Sequence, residues 1–457
     1  MLHEKRLLFV LAAVQFCHII DFMIIMPLGK TIMDSFAITP GQFAWVVSAY
    51  AGAAFTGNLI STAVIDRFDR RSALLFLFCG FTVGTLGCAF APDYLSLLVL
   101  RSATGIFGGT LGALVLAIVG DVIPLERRGA AMGWVMTAFS AASVVGVPSG
   151  IWIAAEFGWH APFLVTAAIS AFFVGLAFWF VPPLRGHLSE RGNKMKEKGR
   201  GQALEEASSA SDPASEPSVI RARAQVQGQD ELAGLDPDVT ERLTPSQLAL
   251  APKRGLAAVA EPFVRIFSDA NQRAALLFTL ALMLGHFTII PFIAPYMQIN
   301  IGFADKQVGL IYLIGGSLTV ILLPLMGRVA DRYGHFRVFS IASVFALASI
   351  YLLTNLDTDS IYVALLTTSS FFVVASGRSV PATTMITSVV RPENRGGFMS
   401  IRQSVNELAL FFSSVIAGFI IVEGADGKLD NYNWLGYFTM VMSVVAVAAA
   451  SRIRSVA

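Results

Sequence analysis

Charged side chains inside long apolar segments are the residues of this sequence best suited to do chemistry. Four of them stand out: Asp21, Arg101, Arg378 and Glu407. A charge at the centre of a bilayer costs roughly 2.5–3.5 kcal/mol on insertion scales, so each group needs a partner or a function. A carboxylate in such a place takes up and releases a proton when its surroundings change.

The positions of these groups along their segments predict two ion pairs. Asp21 and Arg101 each lie about seven residues from the same membrane surface, a depth of roughly 10 Å at 1.5 Å per residue. Arg378 and Glu407 each lie about twelve residues from the opposite surface, a depth of roughly 18 Å. For either pair, the alternative to proton transfer is a permanent bridge that only neutralises a buried charge.

His18 extends the first candidate site. It lies about one helical turn before Asp21, where it would share a proton relay, and a hydrogen-bonded packing role is the alternative.

The six histidines and three cysteines show no metal-ligand spacing, so no metal or other cofactor is predicted. Cys17, Cys79 and Cys88 are predicted to be small buried hydrophobic residues. The sequence has no phosphate-binding loop and no nucleophile elbow, so neither ATP hydrolysis nor another enzymatic activity is expected.

Twelve apolar segments must position these groups. Hydrophobic residues make up 55% of the 457 positions and charged residues only 14%, a balance typical of a protein with lipid as its solvent. Each segment has about the 20 residues that a helix needs to cross hydrocarbon, where backbone polar groups must bond within the segment. The predicted spans are 7–28, 43–65, 72–92, 95–119, 130–154, 161–183, 274–296, 308–327, 338–355, 360–386, 398–422 and 434–451. The predicted fold class is therefore an all-α polytopic membrane protein in a lipid bilayer.

The distribution of lysine and arginine orients the chain. An even number of spans places both termini on one side, and the short segments of that side carry fifteen basic residues against three in the opposite loops. Basic residues are enriched in cytoplasmic loops, so both termini are predicted to be cytoplasmic. The expected location is a bacterial inner membrane, and nothing in the charge pattern points to a nucleic-acid partner.

A polar stretch separates two apolar halves. Residues 1–183 and 263–457 are predicted to form six-helix bundles, and residues 184–262 a largely disordered cytoplasmic linker rich in Ser, Ala, Glu, Pro and Arg. Apolar residues at helical spacing between Gly255 and Asp269 predict an interfacial helix at the end of this stretch.

The two halves repeat each other. The segment Glu126-Arg-Arg-Gly-Ala-Ala-Met132 matches Glu393-Asn-Arg-Gly-Gly-Phe-Met399 at an offset of 267 residues. Asp66-Arg67 matches Asp331-Arg332 at an offset of 265, and Asp21 aligns with His286 at the same offset. Six spans in each half give the two repeats the same orientation. Parallel repeats of this kind place a substrate site between the halves near the middle of the membrane.

The second half carries a motif that identifies a family resemblance. Its sequence is Gly327-Arg-Val-Ala-Asp331-Arg332-Tyr-Gly334-His-Phe-Arg337, which resembles the signature that follows the second span in the major facilitator superfamily. The first half has the related segment Thr62-Ala-Val-Ile-Asp66-Arg67-Phe-Asp69-Arg70-Arg71, in which Thr62 and Asp69 replace both glycines. The resemblance covers the chain except for the predicted linker.

Further elements are similar to the drug and sugar efflux branch of that family. Arg101-Ser-Ala-Thr-Gly105 resembles an element of the fourth span, and Gly146-Val-Pro148-Ser-Gly150 resembles an element associated with antiporters. The resemblance also implies that Asp66, Arg67, Arg70 and Asp121 form a cytoplasmic charge network that latches the outward-open state. Asp331 and Arg332 hold the equivalent positions in the second half.

These observations favour a secondary transporter, most simply a monomeric proton-coupled exporter of a small organic molecule. One of the buried carboxylates, with Asp21 as first choice, would carry the proton. An uptake symporter for a sugar, metabolite or organic anion, with Arg101 or Arg378 as the anion-binding residue, is the alternative. A membrane receptor or sensor whose central stretch recruits a partner is an alternative of another class.

Overall fold

The computed structural model describes residues 2–64, 68–184, 266–390 and 395–456. Twelve runs of helix within these ranges are long and apolar enough to cross a membrane, which confirms the predicted number of spans. They form two halves of six spans, and residues 1–183 and 263–457 belong to one compact unit. The predicted linker and most of the predicted interfacial helix lie outside the described residues.

The first half contains spans 1 to 6. Its helices are α1 Leu2–Ile24, α2 Gly29–Phe36, α3 Pro40–Val64, α4 Arg70–Ala89, α5 Tyr94–Val122, α6 Leu125–Ala141, α7 Val147–Phe157 and α8 His160–Phe180. A π-helical turn, Ala142–Gly146, joins α6 to α7. Spans 1 to 4 are α1, α3, α4 and α5, span 5 is the run from α6 to α7, and span 6 is α8.

The second half contains spans 7 to 12. Its helices are α9 Ala270–Phe287, α10 Ile290–Ile299, α11 Asp305–Tyr333, α12 His335–Thr354, α13 Ile361–Gly377, α14 Ser379–Thr387, α15 Arg395–Ile420 and α16 Tyr432–Ala450. Span 7 is the run from α9 to α10, span 10 is the run from α13 to α14, and the other four helices are single spans. A short hairpin, β1 Val422–Glu423 and β2 Leu429–Asp430, connects spans 11 and 12.

Both chain ends lie at one face of the bundle, which we call the terminal face. The Asn271 side chain at the start of span 7 donates to the backbone carbonyl of Arg454 over 2.7 Å, and Arg127 after span 4 pairs with Glu4 at 3.2 Å. The opposite face, called the far face, carries the hairpin. There Asn300 exchanges two hydrogen bonds with the backbone of Leu429, at 2.9 and 3.0 Å.

Proline residues mark the interruptions within or beside the spans. Pro27 follows the end of α1, and Pro148, Pro291 and Pro381 lie in the first turns of α7, α10 and α14, respectively. A proline lacks the backbone donor and fits the first turn of a helix, so a break just before it is the expected geometry. Spans 5, 7 and 10 therefore each consist of two helical segments.

Spans 2 and 11 form a tight seam between the halves near the far face. Gly418 packs against Gly41 and Ala44, and a Cβ atom built on Gly418 would lie 3.3 Å from the Cα atom of Gly41. One side chain larger than hydrogen at this point would force the two helices apart. Deeper in the membrane, Gly52 receives the ring of Phe411.

Spans 5 and 8 form a second seam at the same face. Trp152 packs over Gly309, and the backbone of Ser143 lies against Gly316. At the outer end of this seam, the Glu156 carboxylate pairs with the Lys306 ammonium at 2.6 Å. Spans 1 and 7 also meet, with the rings of Phe22 and Phe287 6.5 Å apart.

The seams end near the middle of the membrane. Thr56, one turn beyond Gly52 on the same face of span 2, is exposed, and Ile60 one turn further keeps 58% of its surface accessible. Phe139 and Val320 continue the faces of the second seam toward the terminal face and are 46% and 38% exposed. The halves therefore enclose a crevice that is sealed at the far face and widens toward the terminal face.

The Glu156–Lys306 contact predicts that cysteines at these two positions will be joined across the halves by a short thiol-reactive cross-linker, because the two exposed side chains meet at the outer end of the second seam. The double variant, made without the three native cysteines and with a protease site among residues 190–250, should stay in one piece on a denaturing gel after cross-linking and cleavage. The single variant Lys306→Cys is the control. Separation of the cross-linked double variant into two fragments would contradict the seam.

Candidate functional site

The first half contains a fully enclosed ion pair. The Arg101 guanidinium of span 4 donates from Nη1 to Oδ2 of Asp21 in span 1 at 2.8 Å, and both side chains are 0% exposed. The Thr85 hydroxyl of span 3 donates to the other carboxylate oxygen at 3.0 Å. Because each charge is compensated where water is absent, the pair fixes three spans against one another. The contact is the one that equal depth predicted.

Tyr50 of span 2 connects this pair to the crevice. The Arg101 guanidinium carbon lies 4.6 Å from the centre of the Tyr50 ring, an arrangement that stabilises a cation by the charge distribution of the ring. The Tyr50 hydroxyl is 2.9 Å from Nδ1 of His18, whose side chain is only half-buried. Gly105 allows the approach, since its Cα packs directly on the Tyr50 backbone. His18 thus reaches the ion pair through Tyr50.

The Gly146, Pro148 and Gly150 element lies beside the same part of span 1. Gly146 ends the π-helical turn and packs against Ile20, while Gly150 packs against Ile24. A Cβ on Gly146 would come within 2.6 Å of the Ile20 Cδ1 atom, so a larger residue here would displace the Ile20 side chain. The interrupted helix of span 5 therefore lies next to the backbone that carries Asp21.

Among the described residues of the second half, no carboxylate pairs with the buried arginine. Arg378 lies at the break of span 10, is 0% exposed, and donates to the Ser443 hydroxyl at 3.0 Å and to the Gly285 carbonyl at 3.4 Å. His286, the counterpart of Asp21, is within electrostatic reach of this arginine and stacks on Phe371 with ring centres 6.0 Å apart. Each half thus directs an arginine of its fourth span toward equivalent positions of its first span.

The predicted pair of Arg378 with Glu407 is not formed. Glu407 of span 11 accepts a hydrogen bond from Gln403 at 2.7 Å, and its side chain is 7% exposed. The carboxylate lies within electrostatic reach of Tyr50 across the seam, so it faces the first half rather than span 10. Equal depth was misleading here, because the two groups point to different sides of their helices.

At the terminal face, the structure joins Arg70 and Asp121. The Nε atom of Arg70 at the start of span 3 lies 2.9 Å from Oδ2 of Asp121 at the end of span 4. Both residues belong to the first half, so this contact links neighbouring spans of one half. In the second half, Asp331 lies 3.9 Å from His335, and the Arg332 guanidinium lies over the Tyr333 ring. Asp66 and Arg67 lie outside the described residues.

Thr85 and Tyr50 belong to this site but were not predicted from the sequence, and Cys79 was wrongly predicted to be buried. Thr85 is a single threonine in an apolar span, and Tyr50 gave no signal beyond its polar hydroxyl. Both would have been found only by knowing which faces of spans 2 and 3 turn toward span 4. Cys17 and Cys88 are buried as expected, whereas Cys79 is exposed on the outside of the bundle. Within the described part of the chain, no cluster of side chains has the composition of a metal site.

The chain matches known proteins along most of its length. The model of the Major Facilitator Superfamily matches residues 11–263 and 275–456. The uncharacterized MFS-type transporter YhcA of Bacillus subtilis is 27% identical over 79% of this chain and 65% of its own length. Multidrug resistance protein 3 of the same organism is 32% identical over 29% of this chain and 27% of its own length. The chain thus covers less than two thirds of the length of either relative.

A solved structure shares the fold. The inward-open conformation of the xylose transporter XylE from Escherichia coli superposes with a TM-score of 0.67 at 14% identity, over 97% of this chain and 95% of that chain. The arrangement of two six-helix halves is therefore shared with a protein of very different sequence.

The different surroundings of the two arginines predict different costs of removing them. Arg101→Met strands the Asp21 carboxylate and should destabilise the protein by about 3–5 kcal/mol, whereas Arg378→Met removes a cation that has no counter-charge and should cost less than about 1 kcal/mol. Thermal unfolding of the purified variants in detergent measures both. Adding Asp21→Asn to Arg101→Met should restore part of the loss. Equal destabilisation by the two arginine variants would contradict the assignment.

Proposed function

This chain belongs to the Major Facilitator Superfamily and is a multi-pass membrane transporter, and we propose that it is a proton-coupled exporter of a small organic molecule. It would work by alternating access, with the crevice between the halves opening to one face at a time. The observation that carries the proposal is the enclosed Asp21–Arg101 pair beside the interrupted helix of span 5.

The distribution of charge supports the proposed membrane orientation. The excess of lysine and arginine in the short segments of the terminal face supports a cytoplasmic location for that face. The described conformation would then be open to the cytoplasm and closed to the outside, as an exporter is when it takes up its substrate. A bacterial inner membrane and a monomeric state complete the proposal.

Asp21 would carry the proton. In the described conformation its two carboxylate oxygens accept hydrogen bonds from Arg101 and from the Thr85 hydroxyl. When the halves rock to open the far face, a shift of span 1 against span 4 would lengthen the contact with Arg101. The carboxylate would then take a proton from the outside and release it inward when the pair forms again. His18 and Tyr50 supply a path from the pair to the crevice.

The energy available is sufficient for export. One charge that crosses a potential of about 100 mV supplies roughly 2.3 kcal/mol. This free energy supports a concentration ratio of about fifty for one proton per neutral substrate.

The anion-uptake alternative has weaker support. Arg101 is neutralised by Asp21, and Arg378 is enclosed by spans 7 and 12, so neither guanidinium is presented to the crevice. The similarity to Multidrug resistance protein 3 and the antiporter-like element both favour export.

We predict that Asp21→Asn abolishes flux driven by an imposed pH gradient in proteoliposomes. Asparagine keeps an oxygen that can accept from Arg101 and gains an amide that can donate to the Thr85 hydroxyl, so the variant should fold, as judged by size-exclusion chromatography. Internal pH is followed while dyes, drugs and sugars are supplied in turn. Asp426→Asn, an exposed carboxyl on the far-face loop, is the matched control. Undiminished gradient-driven flux in Asp21→Asn would end this proposal.

Arg70→Ala should slow turnover several-fold with little change in substrate affinity, because Arg70 anchors the terminal-face network through Asp121 and lies far from the crevice apex. The turnover rate and the half-saturating concentration are measured in the same proteoliposomes. A normal turnover rate in this variant would count against a role of the network in switching.

A further inference from the structure

We infer that Glu407 binds a positively charged group of the substrate, so that the transported molecule is an organic cation with an apolar body. The inference rests on the proposed function for its setting, a crevice that admits a small organic molecule. It adds the chemical class of that molecule and the residue that selects it.

Glu407 lies at the apex of the crevice. Phe411, one turn nearer the far face on the same side of span 11, packs on Gly52 and closes the seam. Glu407 is therefore the first residue of that side below the closure, and Thr56, one turn below Gly52 on span 2, is exposed opposite this level. Glu407 keeps 7% of its surface accessible, and its carboxylate lies within electrostatic reach of Tyr50 in the first half.

No cation of the described residues balances this carboxylate. Its hydrogen-bond partner is the neutral amide of Gln403. Arg402 is five residues away, which on a helix of 3.6 residues per turn places it about 140° around the axis. No ion pair joins Glu407 to Arg402 or to any other cation of the described ranges.

The nearby arginines are occupied elsewhere. Arg101 is neutralised by Asp21. Arg378 lies behind span 7, because Gly285, which accepts from it, faces span 12. Phe287, two residues further along, instead contacts Phe22 of the first half, on the opposite side of the same helix. The apex of the crevice therefore carries a net negative charge.

Aromatic rings complete the site. Phe411 adjoins Glu407 on the same side of span 11, and its ring, packed on Gly52, covers the site toward the far face. Tyr50 lies within electrostatic reach of the carboxylate. A carboxylate beside aromatic rings in a partly dry cleft attracts an organic cation through charge and through the ring faces. An anion would be repelled by the carboxylate.

Equilibrium binding with two probes of the same shape and opposite charge tests the inference. The purified full chain in neutral detergent is titrated with tetraphenylphosphonium and, separately, with tetraphenylborate. The wild-type protein should bind the cation and not the anion. Glu407→Gln should weaken binding of the cation at least about tenfold, the equivalent of about 1.4 kcal/mol, and Glu407→Asp should keep most of the affinity. Glu423→Gln, a carboxyl on the exposed hairpin, is the matched control.

Each outcome of these titrations either supports or overturns the inference that Glu407 binds a cationic group. Unchanged binding of tetraphenylphosphonium by Glu407→Gln overturns the inference, as does binding of the borate by the wild type with equal affinity. Binding of neither tetraphenylphosphonium nor the smaller cation ethidium by the wild type also overturns it. If Glu407→Gln fails to fold, the wild-type comparison of the two probes and the affinity of Glu407→Asp decide. Because binding needs no proton gradient, failure of the Asp21 flux experiment leaves this result independent.

Discussion

A charge placed in hydrocarbon must be matched by another polar group or must reach water, and this constraint organises the structure. In the first half, the enclosed Asp21–Arg101 pair satisfies this constraint. The pair, with the Thr85 hydroxyl, holds spans 1, 3 and 4 together, and the Tyr50 ring of span 2 packs against the Arg101 guanidinium. Glycines make this packing possible, since Gly105 brings span 4 against the backbone of Tyr50. The polar centre and the close helix packing are therefore one feature.

The second half meets the same constraint differently. Arg378 uses a backbone carbonyl and a serine hydroxyl in place of a carboxylate, and the carboxylate of this half, Glu407, lies at the crevice instead. The two repeats thus keep an arginine in the same span and have diverged in where they put the acid. The first half holds a closed charge pair, and the second half presents an open charge. Under the proposed function, this division would separate a proton-carrying group, Asp21, from a substrate-binding group, Glu407.

Composition and hydropathy were sufficient to predict the number of spans, because the length of an apolar helix is set by the thickness of the bilayer. The Asp21–Arg101 contact was also predictable, because the two residues lie at the same depth in the membrane and spans 1 and 4 were expected to be close together. The same argument failed for Arg378 and Glu407, because depth says nothing about rotation around a helix axis. Arg378 turns toward span 12 and Glu407 toward span 2. Pro148, Pro291 and Pro381 mark where spans 5, 7 and 10 are interrupted, whereas the π-helical form of the turn before Pro148 depends on local packing that single-sequence patterns do not encode.

The central claim is that the two halves rock about the apex of the crevice, so that opening one face closes the other. Electron-spin distance measurements test it most directly, with one label pair across the far face, at Asp34 and Asp426, and another across the terminal face, at Val122 and Tyr333. Addition of a transported substrate under a proton gradient should lengthen the first distance and shorten the second. Distances that stay fixed, or that change in the same direction, would contradict the account.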